Sequence, residues 1–375
     1  MLQVLPSLEA GGVERGTVDV AAALGQAGWR AIVASSGGRM AREIERAGGV
    51  HVELPLASKN PLIMRRNVER LSSLIERENV RLVHARSRAP AWSARAAARR
   101  TDRPFVTTFH GVYDARTPIR RAYNGIMAKG DRVIAISRFV AEHIRRHYPI
   151  DEERLRVIPR GIDTDVFDPS RLSAERLIAL ARRWHLPDGV PVVMMPARPA
   201  RWKGHRVLID AAARLGDREV VVLLVGLDGP QDRYRRELER LVIAAGLAGV
   251  VRLIEPCTDM PSAYMLADVV VSPSTDPEAF GRVAVEAQAM GRPVVASDHG
   301  AARETVVPGA TGWLAPPGDA AGLAAAIDAA LRLDADARQA LAERARARVV
   351  AMFAKARMCA DTLDVYRELL GATAR

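Results

Sequence analysis

The sequence predicts an α/β protein built from two doubly wound, parallel-sheet domains that face each other across a cleft. Three observations predict this fold class. The chain has 375 residues, which is long for a single hydrophobic core. Short apolar runs alternate with amphipathic helical stretches along most of its length, a pattern typical of parallel sheets. One turn-rich, acidic segment, residues 161–175, interrupts the alternation and is interpreted as the linker between the domains.

The first domain is expected to span residues 1–165. Consecutive apolar residues predict its strands at 2–6, 30–35, 51–56, 81–85, 104–110, 131–137 and 155–160. The intervals between these strands have helical periodicity, which predicts helices at 13–28, 42–49, 61–79, 89–100 and 138–148.

The second domain is expected to span residues 166–350 and to repeat this pattern. Its strands are predicted at 190–198, 219–226, 250–256, 268–274, 293–297 and 312–316. Its helices are predicted at 175–186, 207–215, 233–246, 261–267, 281–291, 319–333 and 336–350. A last amphipathic helix, within 356–372, is expected to complete the first domain. Ligands of such sheets bind outside the carboxyl ends of the strands, so these ends are where site residues are sought.

The net charge of +11 is concentrated in the first domain. Residues 1–165 hold 28 Lys and Arg against 18 Asp and Glu, and the remainder holds 27 against 26. Within 59–146 the counts are 20 and seven. This asymmetry indicates that the first domain faces an anionic surface or acceptor. A solvated, arginine-rich surface is the alternative interpretation.

Two cysteines cannot form a disulfide framework or a four-ligand zinc site, which favours a reducing compartment. The N-terminal sequence has no secretory signal, and no apolar run approaches the roughly 18 residues of a membrane-spanning helix. We therefore expect a cytoplasmic protein that can lie on a membrane without crossing it.

The segment 194–215, MMPARPARWKGHRVLIDAAARL, predicts a phosphate site. Arg198 follows a buried strand, Lys203 comes five residues later, and Gly204 precedes a helix. Two cations beside a helix N-terminus at a strand's carboxyl end suit a diphosphate. A solvated basic loop is the alternative, and the position at the strand end favours the phosphate site.

The segment TDPEAFGRVAVEAQAMGRPVVAS, 275–297, contains two acids eight positions apart. Glu278 lies in a loop after a buried strand, and Glu286 lies about two turns into the helix that begins near Gly281. This spacing of roughly 12 Å is too long for a shared proton and suits the two ends of one ligand. A carboxylate accepts hydrogen bonds from hydroxyl groups. The expected partners are the hydroxyls of a hexose at Glu278 and those of a ribose at Glu286. Phosphates between them would meet the amides of Ala279, Phe280 and Gly281.

The first domain offers its own candidates at strand ends. Gly11 and Gly12 lie in the loop SLEAGGVERG between the first strand and the first helix, where the backbone can approach a ligand. His110 ends a strand that is expected to be central, so we expect it to face the cleft. Three arginines near neighbouring strand ends are candidates for the acceptor side, together with Gly11: Arg86, Arg88 and Arg138.

Taken together, these segments resemble the retaining glycosyltransferases of family 4, which have the fold called GT-B. The resemblance covers nearly the whole chain and rests on motifs that occur in that family's order: GGVER, FHG, ISRF, VIPRGID, ARPARWKGH, VVVSPSTDPEAFGRVAVEAQAMGRPVVAS and TGWL. It implies that Arg198 and Lys203 bind a nucleotide diphosphate and that Glu286 holds the ribose.

The resemblance also implies donor contacts for three other residues, two at the sugar and one at the phosphate: Glu278, His110 and Gly12. Gly226 is a further donor-side candidate. The expected catalytic residues are His110, Glu278, Arg198 and Lys203. The family needs no metal, because the basic pair does the work of a divalent ion. The family's mechanism is retention by same-face attack, and the leaving diphosphate accepts the acceptor's proton.

Four segments, VERG, ASKNPL, VHARSRAPAWSA and TTFHGVY, further resemble α-proteobacterial glycosyltransferases of lipopolysaccharide core assembly, including mannosyltransferases that use GDP-mannose. This likeness implies transfer of mannose to a lipid-linked or lipopolysaccharide-core saccharide, at the inner face of the cytoplasmic membrane. The anionic membrane surface would then be a partner of the basic domain.

Alternative functions are a transferase of a UDP-hexose to exopolysaccharide or another glycoconjugate, and a GT-B epimerase or phosphorylase. An NAD-dependent oxidoreductase is disfavoured because no GxGxxG is followed by an acid about 20 residues later. A nucleic-acid partner is disfavoured because few aromatic residues interleave with the basic ones.

Overall fold

Each of the two parallel sheets lies in its own compact unit. The computed structural model describes residues 1–9, 11–216, 218–229 and 231–372, so Ala10 of the glycine loop lies outside it. The first unit comprises residues 1–161 and the chain from 355 onward, and the second comprises 162–354. The boundary expected at residue 165 thus falls four residues earlier.

The first unit has a seven-stranded sheet, in which all neighbouring strands are parallel and follow the order β3-β2-β1-β4-β5-β6-β7. The strands are β1 Leu2–Val4, β2 Ile32–Ser35, β3 Val50–Glu53, β4 Val83–Ala85, β5 Phe105–Phe109, β6 Arg132–Ala135 and β7 Leu155–Val157. Six helices connect them: α1 Gly12–Gln26, α2 Ala41–Arg46, α3 Pro61–Arg77, α4 Arg88–Arg100, α5 Pro118–Asn124 and α6 Arg138–His147.

The second unit has a six-stranded parallel sheet with the order β10-β9-β8-β11-β12-β13. Its strands are β8 Val192–Pro196, β9 Val221–Val225, β10 Val251–Ile254, β11 Val269–Ser272, β12 Val294–Ser297 and β13 Trp313–Ala315. Its helices are α7 Ala174–Arg183, α8 His205–Ala212, α9 Arg233–Ala244, α10 Met260–Leu266, α11 Arg282–Ala289, α12 Ala302–Thr305, α13 Ala320–Leu331 and α14 Ala335–Phe353.

The predicted fold class of two doubly wound parallel sheets is confirmed. The buried strands are continuous apolar runs, such as β9 VVLLV, as expected for sheets covered on both faces. Two short helices, α5 and α12, were not predicted. In the described part of the chain, no helix is both long and apolar enough to cross a membrane.

The strand order places the candidate residues at two topological switch points. The order reverses between β1 and β4 in the first sheet, and between β8 and β11 in the second. Ligands of doubly wound sheets bind at the carboxyl edge beside such a point. The predicted site segments 7–16, 86–88, 197–204 and 273–281 are the loops that follow these four strands.

The C-terminal helix, α15 Lys355–Ala372, packs on the first unit. Tyr366 is fully buried, and its hydroxyl is hydrogen-bonded to Nδ1 of His84, 2.6 Å away. The other ring nitrogen, Nε2, is hydrogen-bonded to Oγ1 of Thr108 at 2.7 Å. Burial lowers the pKa of His84 well below its usual value, so the ring stays neutral and both bonds persist.

The Tyr366–His84 bond predicts a stability effect. Tyr366→Phe leaves the buried Nδ1 of His84 without a hydrogen-bond partner, so we expect the free energy of unfolding to fall by about 2 kcal/mol. Urea-induced unfolding measures it. Tyr123→Phe is the control in the same unit, because its hydroxyl makes no hydrogen bond within the described ranges, and it should change stability by less than about 0.5 kcal/mol. Equal effects of the two changes would contradict the role given to this bond.

Candidate active site

In the second unit, the loops after β8 and β11 are in direct backbone contact. Gly204 has a φ of 86°, and a Cβ at this position would overlap the carbonyl oxygen of Pro273. The backbone amide of Thr275 also donates to the carbonyl of Trp202 at 2.7 Å. Only glycine permits both the left-handed backbone and the close approach at residue 204. The two switch-point loops are therefore fixed against each other.

Lys203 and Glu278 form the central ion pair of this site. Nζ of Lys203 lies 2.6 Å from Oε1 of Glu278, and the two side chains are only 17% and 18% exposed. The same carboxylate oxygen accepts from the hydroxyl of Ser274 at 2.7 Å. The ammonium group also lies 4.3 Å from the centroid of the Trp202 ring. A cation and a carboxylate are thus held together at the carboxyl edge of the sheet.

The loop after β12 supports Glu278 from another side. The amide of Ala301 donates to the carbonyl of Glu278 at 2.9 Å. His299 donates through Nε2 to the carbonyl of Ser274 at 2.8 Å. Nδ1 of His299 is buried and has no hydrogen-bond partner among the described residues. These contacts fix the backbone at Glu278, and Oε2 of this carboxylate makes no protein hydrogen bond within the described ranges.

Arg198, the second predicted cation, is exposed and lies two residues beyond the end of β8. Its side chain makes neither a hydrogen bond nor an ion pair with the residues that the structure describes. Gly226 follows the neighbouring strand β9 with a φ of 104°, and a Cβ there would lie 2.8 Å from the carbonyl oxygen of Ala197. The site therefore contains one cation that is neutralised by the protein and one that is available to an anion.

Glu286 lies in the second turn of α11, as the sequence predicted, and Gly281 is the N-cap. The carboxylate is 8% exposed and accepts from the hydroxyl of Tyr264 at 2.8 Å and from Nε of Arg282 at 2.7 Å. Burial and then the charge of Glu286 raise the pKa of Tyr264 well above its usual value, so the phenol remains a donor. Each carboxylate oxygen keeps a second acceptor position for a ligand hydroxyl. Phe280, beside Gly281, is buried and packs on Phe353.

In the first unit, Arg160 connects the glycine loop to His110. Nη2 of Arg160 lies 2.9 Å from Nδ1 of His110. Its guanidinium also lies against Gly12, the first residue of α1, where a Cβ would overlap Nη1. Gly11 is the N-cap of α1. A side chain at this position would collide with the carboxylate of Glu14. The glycine loop and the end of β5 are thus connected through an arginine.

His110 is a neutral hydrogen-bond donor. An arginine can only donate, so Nδ1 accepts and the hydrogen lies on Nε2. Nε2 is buried and has no partner in the described part of the chain. Burial, and then the charges of Arg160, Arg86 and His84, lower the pKa of His110 well below its usual value. The imidazole is therefore held ready to donate to a ligand oxygen.

The three candidate acceptor-side arginines have different environments. Arg86 is 4% exposed and donates from Nη1 to Oε1 of Gln3 at 3.0 Å, beneath α1. Arg88 donates to Asn124 at 3.1 Å and lies over the Tyr113 ring, 4.4 Å from its centroid. Arg138 is exposed at the start of α6, which Ser137 caps as predicted. Since Arg86 is buried, it acts on the site through its charge.

Five residues of these two sites were not singled out by the sequence: Arg160, Ser274, His299, Tyr264 and Arg282. Arg160, Ser274 and His299 each follow the carboxyl end of a strand, so the rule that selected Arg198 and Glu278 could have found them. Tyr264 lies on α10 and had no comparable signal. Across the described ranges, no group of three or more His, Cys, Asp or Glu side chains could hold a metal ion.

The family models match most of the chain. The model for Glycosyltransferase Family 4 covers residues 10–166, and the model for Glycosyl transferases group 1 covers residues 179–348. The chain belongs to the family 4 glycosyltransferases. The resemblance inferred from its motifs is confirmed, and its two parallel-sheet units have the GT-B fold of the solved glycosyltransferases that it matches.

Three similar proteins illustrate the range of this glycosyltransferase family. The D-inositol 3-phosphate glycosyltransferase of Xylanimonas cellulosilytica is 34% identical over 289 residues, which are 72% of this chain and 68% of the relative. A glycosyltransferase of Rickettsia africae is 38% identical with a TM-score of 0.92, and the match covers 98% of each chain. Anabaena HepE, solved with UDP-glucose, is 26% identical with a TM-score of 0.82, over 97% of this chain and 99% of HepE.

The glycosyltransferase matches the curated relatives over only part of their length. The matched segments span 68%, 46% and 59% of three D-inositol 3-phosphate glycosyltransferases. The nucleotide sugar and saccharide acceptor general to GT-B glycosyltransferases therefore apply to this chain, whereas the relatives' particular substrates do not follow from the match.

The Lys203–Glu278 pair predicts a loss of transfer in either single variant. In Lys203→Ala and Glu278→Ala, we expect kcat/KM for sugar transfer to fall by at least about 100-fold, because a positioned charge is removed from the site. The protein should remain folded by circular dichroism, since neither side chain is part of the apolar core of the second unit.

Arg201→Ala is the matched control for Lys203→Ala. Arg201 lies in the same loop, is 67% exposed and pairs with Glu237 away from Glu278. It should keep nearly the whole activity. Full activity of Lys203→Ala or Glu278→Ala would refute the site.

The Arg160–His110 bond predicts a change in the protonation of His110. Arg160→Gln removes a nearby positive charge, so the pKa of His110 should rise towards its unperturbed value of about 6.5. In the wild type, Nδ1 should stay unprotonated through the ordinary range of histidine titration, and in the variant the ring should become doubly protonated at a higher pH. Nitrogen-15 NMR of the histidine rings measures this, with exposed Arg99→Gln as control. An unchanged titration of His110 would contradict the assignment.

Proposed function

We propose that this glycosyltransferase moves a hexose, with retention, from a nucleoside diphosphate sugar to a saccharide acceptor without a metal ion. One observation carries the proposal. At the second switch point, the loop after β8 holds two cations: Lys203, which is paired with Glu278, and Arg198, which has no charged partner among the described residues. Such a site offers positive charge to a diphosphate and a hydrogen-bond acceptor to a sugar hydroxyl.

The proposed donor contacts follow from these charges. Arg198 and Lys203 bind the diphosphate, and the amides of Ala279, Phe280 and Gly281 face the phosphates at the beginning of α11. Glu286 accepts from the ribose hydroxyls through its remaining lone pairs. Glu278 and His110 contact the hexose, Glu278 as acceptor and His110 as neutral donor. Gly12 and Gly226 are the proposed backbone contacts of the donor.

In the proposed reaction, the bond between the anomeric carbon and the diphosphate oxygen breaks. The acceptor oxygen forms its bond to the same carbon from the same face, and its proton passes to the leaving diphosphate. Charge therefore builds up on the diphosphate, where Arg198 and Lys203 stabilise it. This places their contribution in the transition state, as catalysis requires.

GDP-mannose is the proposed donor, and a lipid-linked or lipopolysaccharide-core saccharide is the proposed acceptor. The likeness of four segments to core mannosyltransferases supports both. We further propose a cytoplasmic protein that lies on the anionic inner face of the membrane. A UDP-hexose is the second candidate donor, supported by the UDP-glucose complex of HepE. The name of the Xylanimonas relative supports a phosphorylated polyol as the second acceptor class.

Thermal-shift measurements with four nucleotide sugars test the donor: GDP-mannose, UDP-glucose, UDP-galactose and UDP-GlcNAc. A donor at 100 times its Kd stabilises the folded state by about 2.7 kcal/mol, which corresponds to a melting-temperature rise of roughly 5–10 °C. We expect this rise with GDP-mannose, its loss in Lys203→Ala, and no change on adding EDTA.

The outcomes separate the alternatives. A rise with a UDP sugar alone would assign the second donor, and inhibition by EDTA would refute the metal-free mechanism. Sugar epimerisation without any acceptor would identify an epimerase. If none of the four sugars raises the melting temperature, the proposed function fails.

A further inference from the structure

The first unit has an open groove that is not part of the candidate active site. It lies between α4, α5, the turn at 125–129 and the end of α6, and its volume is about 820 Å³. Lys129, three residues before β6 begins, and Arg146, one residue before α6 ends, both line it. These positions lie towards the amino edge of the sheet, whereas His110 and Gly12 lie at the carboxyl edge. We call this feature the flank groove.

The flank groove is lined by cations that the protein does not neutralise. Arg95, Arg121, Lys129 and Arg146 line it, and none of them forms an ion pair with a carboxylate of the described residues. A fifth, Arg145, pairs with Glu152 at 2.7 Å. Among the residues that the structure describes, no acidic residue lines the groove. Four unpaired cations around one concave surface repel one another, and a bound polyanion relieves this repulsion.

Exposed apolar side chains lie at the rim of the flank groove. Ile119, next to the lining residue Pro118, is 83% exposed, and the lining residue Trp92 is 39% exposed. Leu62, in the first turn of α3, is 70% exposed. That turn contacts α4 near Trp92, because the hydroxyl of Ser93 donates to the carbonyl of Met64, which is two residues from Leu62, at 2.8 Å. Cations and exposed apolar groups thus occupy one surface.

We propose that the flank groove binds the phosphate groups of anionic phospholipids at a bilayer surface, while Ile119 and Trp92 enter the headgroup region. This inference rests on the proposed function, which places the protein on the anionic inner face of the membrane. It assigns the membrane contact to four particular cations. The combination of basic and large apolar side chains matches the two layers of a lipid surface. The association is peripheral, since the surface is formed by the outer sides of α4, α5 and α6.

A bilayer fits this surface better than a nucleic acid does. Trp92 is stacked on Tyr123, with ring centroids 6.2 Å apart and an angle of 27° between the planes. Its ring face is therefore covered on that side, whereas proteins that bind single strands leave ring faces open to bases. The highly exposed aliphatic side chain of Ile119 has no favourable contact with phosphates or riboses, and it gains by entering an acyl boundary.

Vesicle co-sedimentation of the full chain tests the proposal. The vesicles contain phosphatidylcholine alone or phosphatidylcholine with 30% phosphatidylglycerol. We expect the wild type to bind only the anionic vesicles and to bind them less at about 0.5 M salt, where the screening length is shorter. In the double variant Arg121→Gln/Arg146→Gln, the partition constant should fall by about thirty-fold at low salt. The reason is that the variant lacks two basic residues that attract the anionic surface.

The double variant Arg99→Gln/Arg100→Gln is the matched control. It removes the same charge from two exposed residues at the end of α4 that do not line the flank groove. Its partition constant should change by less than about three-fold. Ile119→Asn should also weaken vesicle binding, whereas Ile243→Asn, at an exposed position of the second unit, should not.

Three results would overturn the proposal. In the first, the wild type binds no anionic vesicle. In the second, both double variants lose binding equally, which would show that only diffuse charge matters. In the third, the groove variant loses binding to a single-stranded RNA and not to vesicles. The nucleotide-sugar thermal shift is measured on the same variants and should be unchanged. If no nucleotide sugar stabilises the wild type, the proposed function fails while the vesicle result still decides the role of the flank groove.

Discussion

The site in the second unit depends on the charge pair between Lys203 and Glu278. Two largely buried charges at 2.6 Å are costly to desolvate, and their mutual attraction offsets that cost only if their geometry is fixed. The fixing comes from backbone contacts, above all the approach of Gly204 to Pro273, which no side chain at residue 204 would allow. The pair therefore connects the loops of β8 and β11, and either residue alone would leave a charge without its partner.

The two units solve the same problem with different chemistry. In the second unit a cation faces a carboxylate, so the protein alone is nearly neutral there and Arg198 provides the surplus charge. In the first unit Arg160 faces His110, and because arginine keeps its proton, the imidazole must remain neutral and donate through Nε2. Both arrangements hold their polar groups in place before a ligand arrives, which is the condition for electrostatic stabilisation without reorganisation.

The sequence predicted the strands and the positions of most candidate residues, because apolar runs and strand ends are local features. It did not predict contacts between distant segments, such as Tyr366 with His84, 282 residues apart. Arg86 shows the same limit: its place at a strand end was evident, but whether its side chain turns outward or beneath α1 depends on Gln3 and on the packing of that helix. Helix α5 was missed because it has only seven residues and is too short for a clear period.

Composition indicated a basic first half, and the structure shows where that charge is concentrated. Many arginines are neutralised locally, as Arg132 and Arg156 are by Glu368. The flank groove instead combines four cations with no carboxylate. A paired charge such as Lys203 has a field that falls off quickly, whereas unpaired cations of one sign act over roughly a screening length of 8–10 Å. The proposals therefore assign attraction towards an anionic surface to the flank groove and selection of the donor to the paired, short-range site, so each can change without the other.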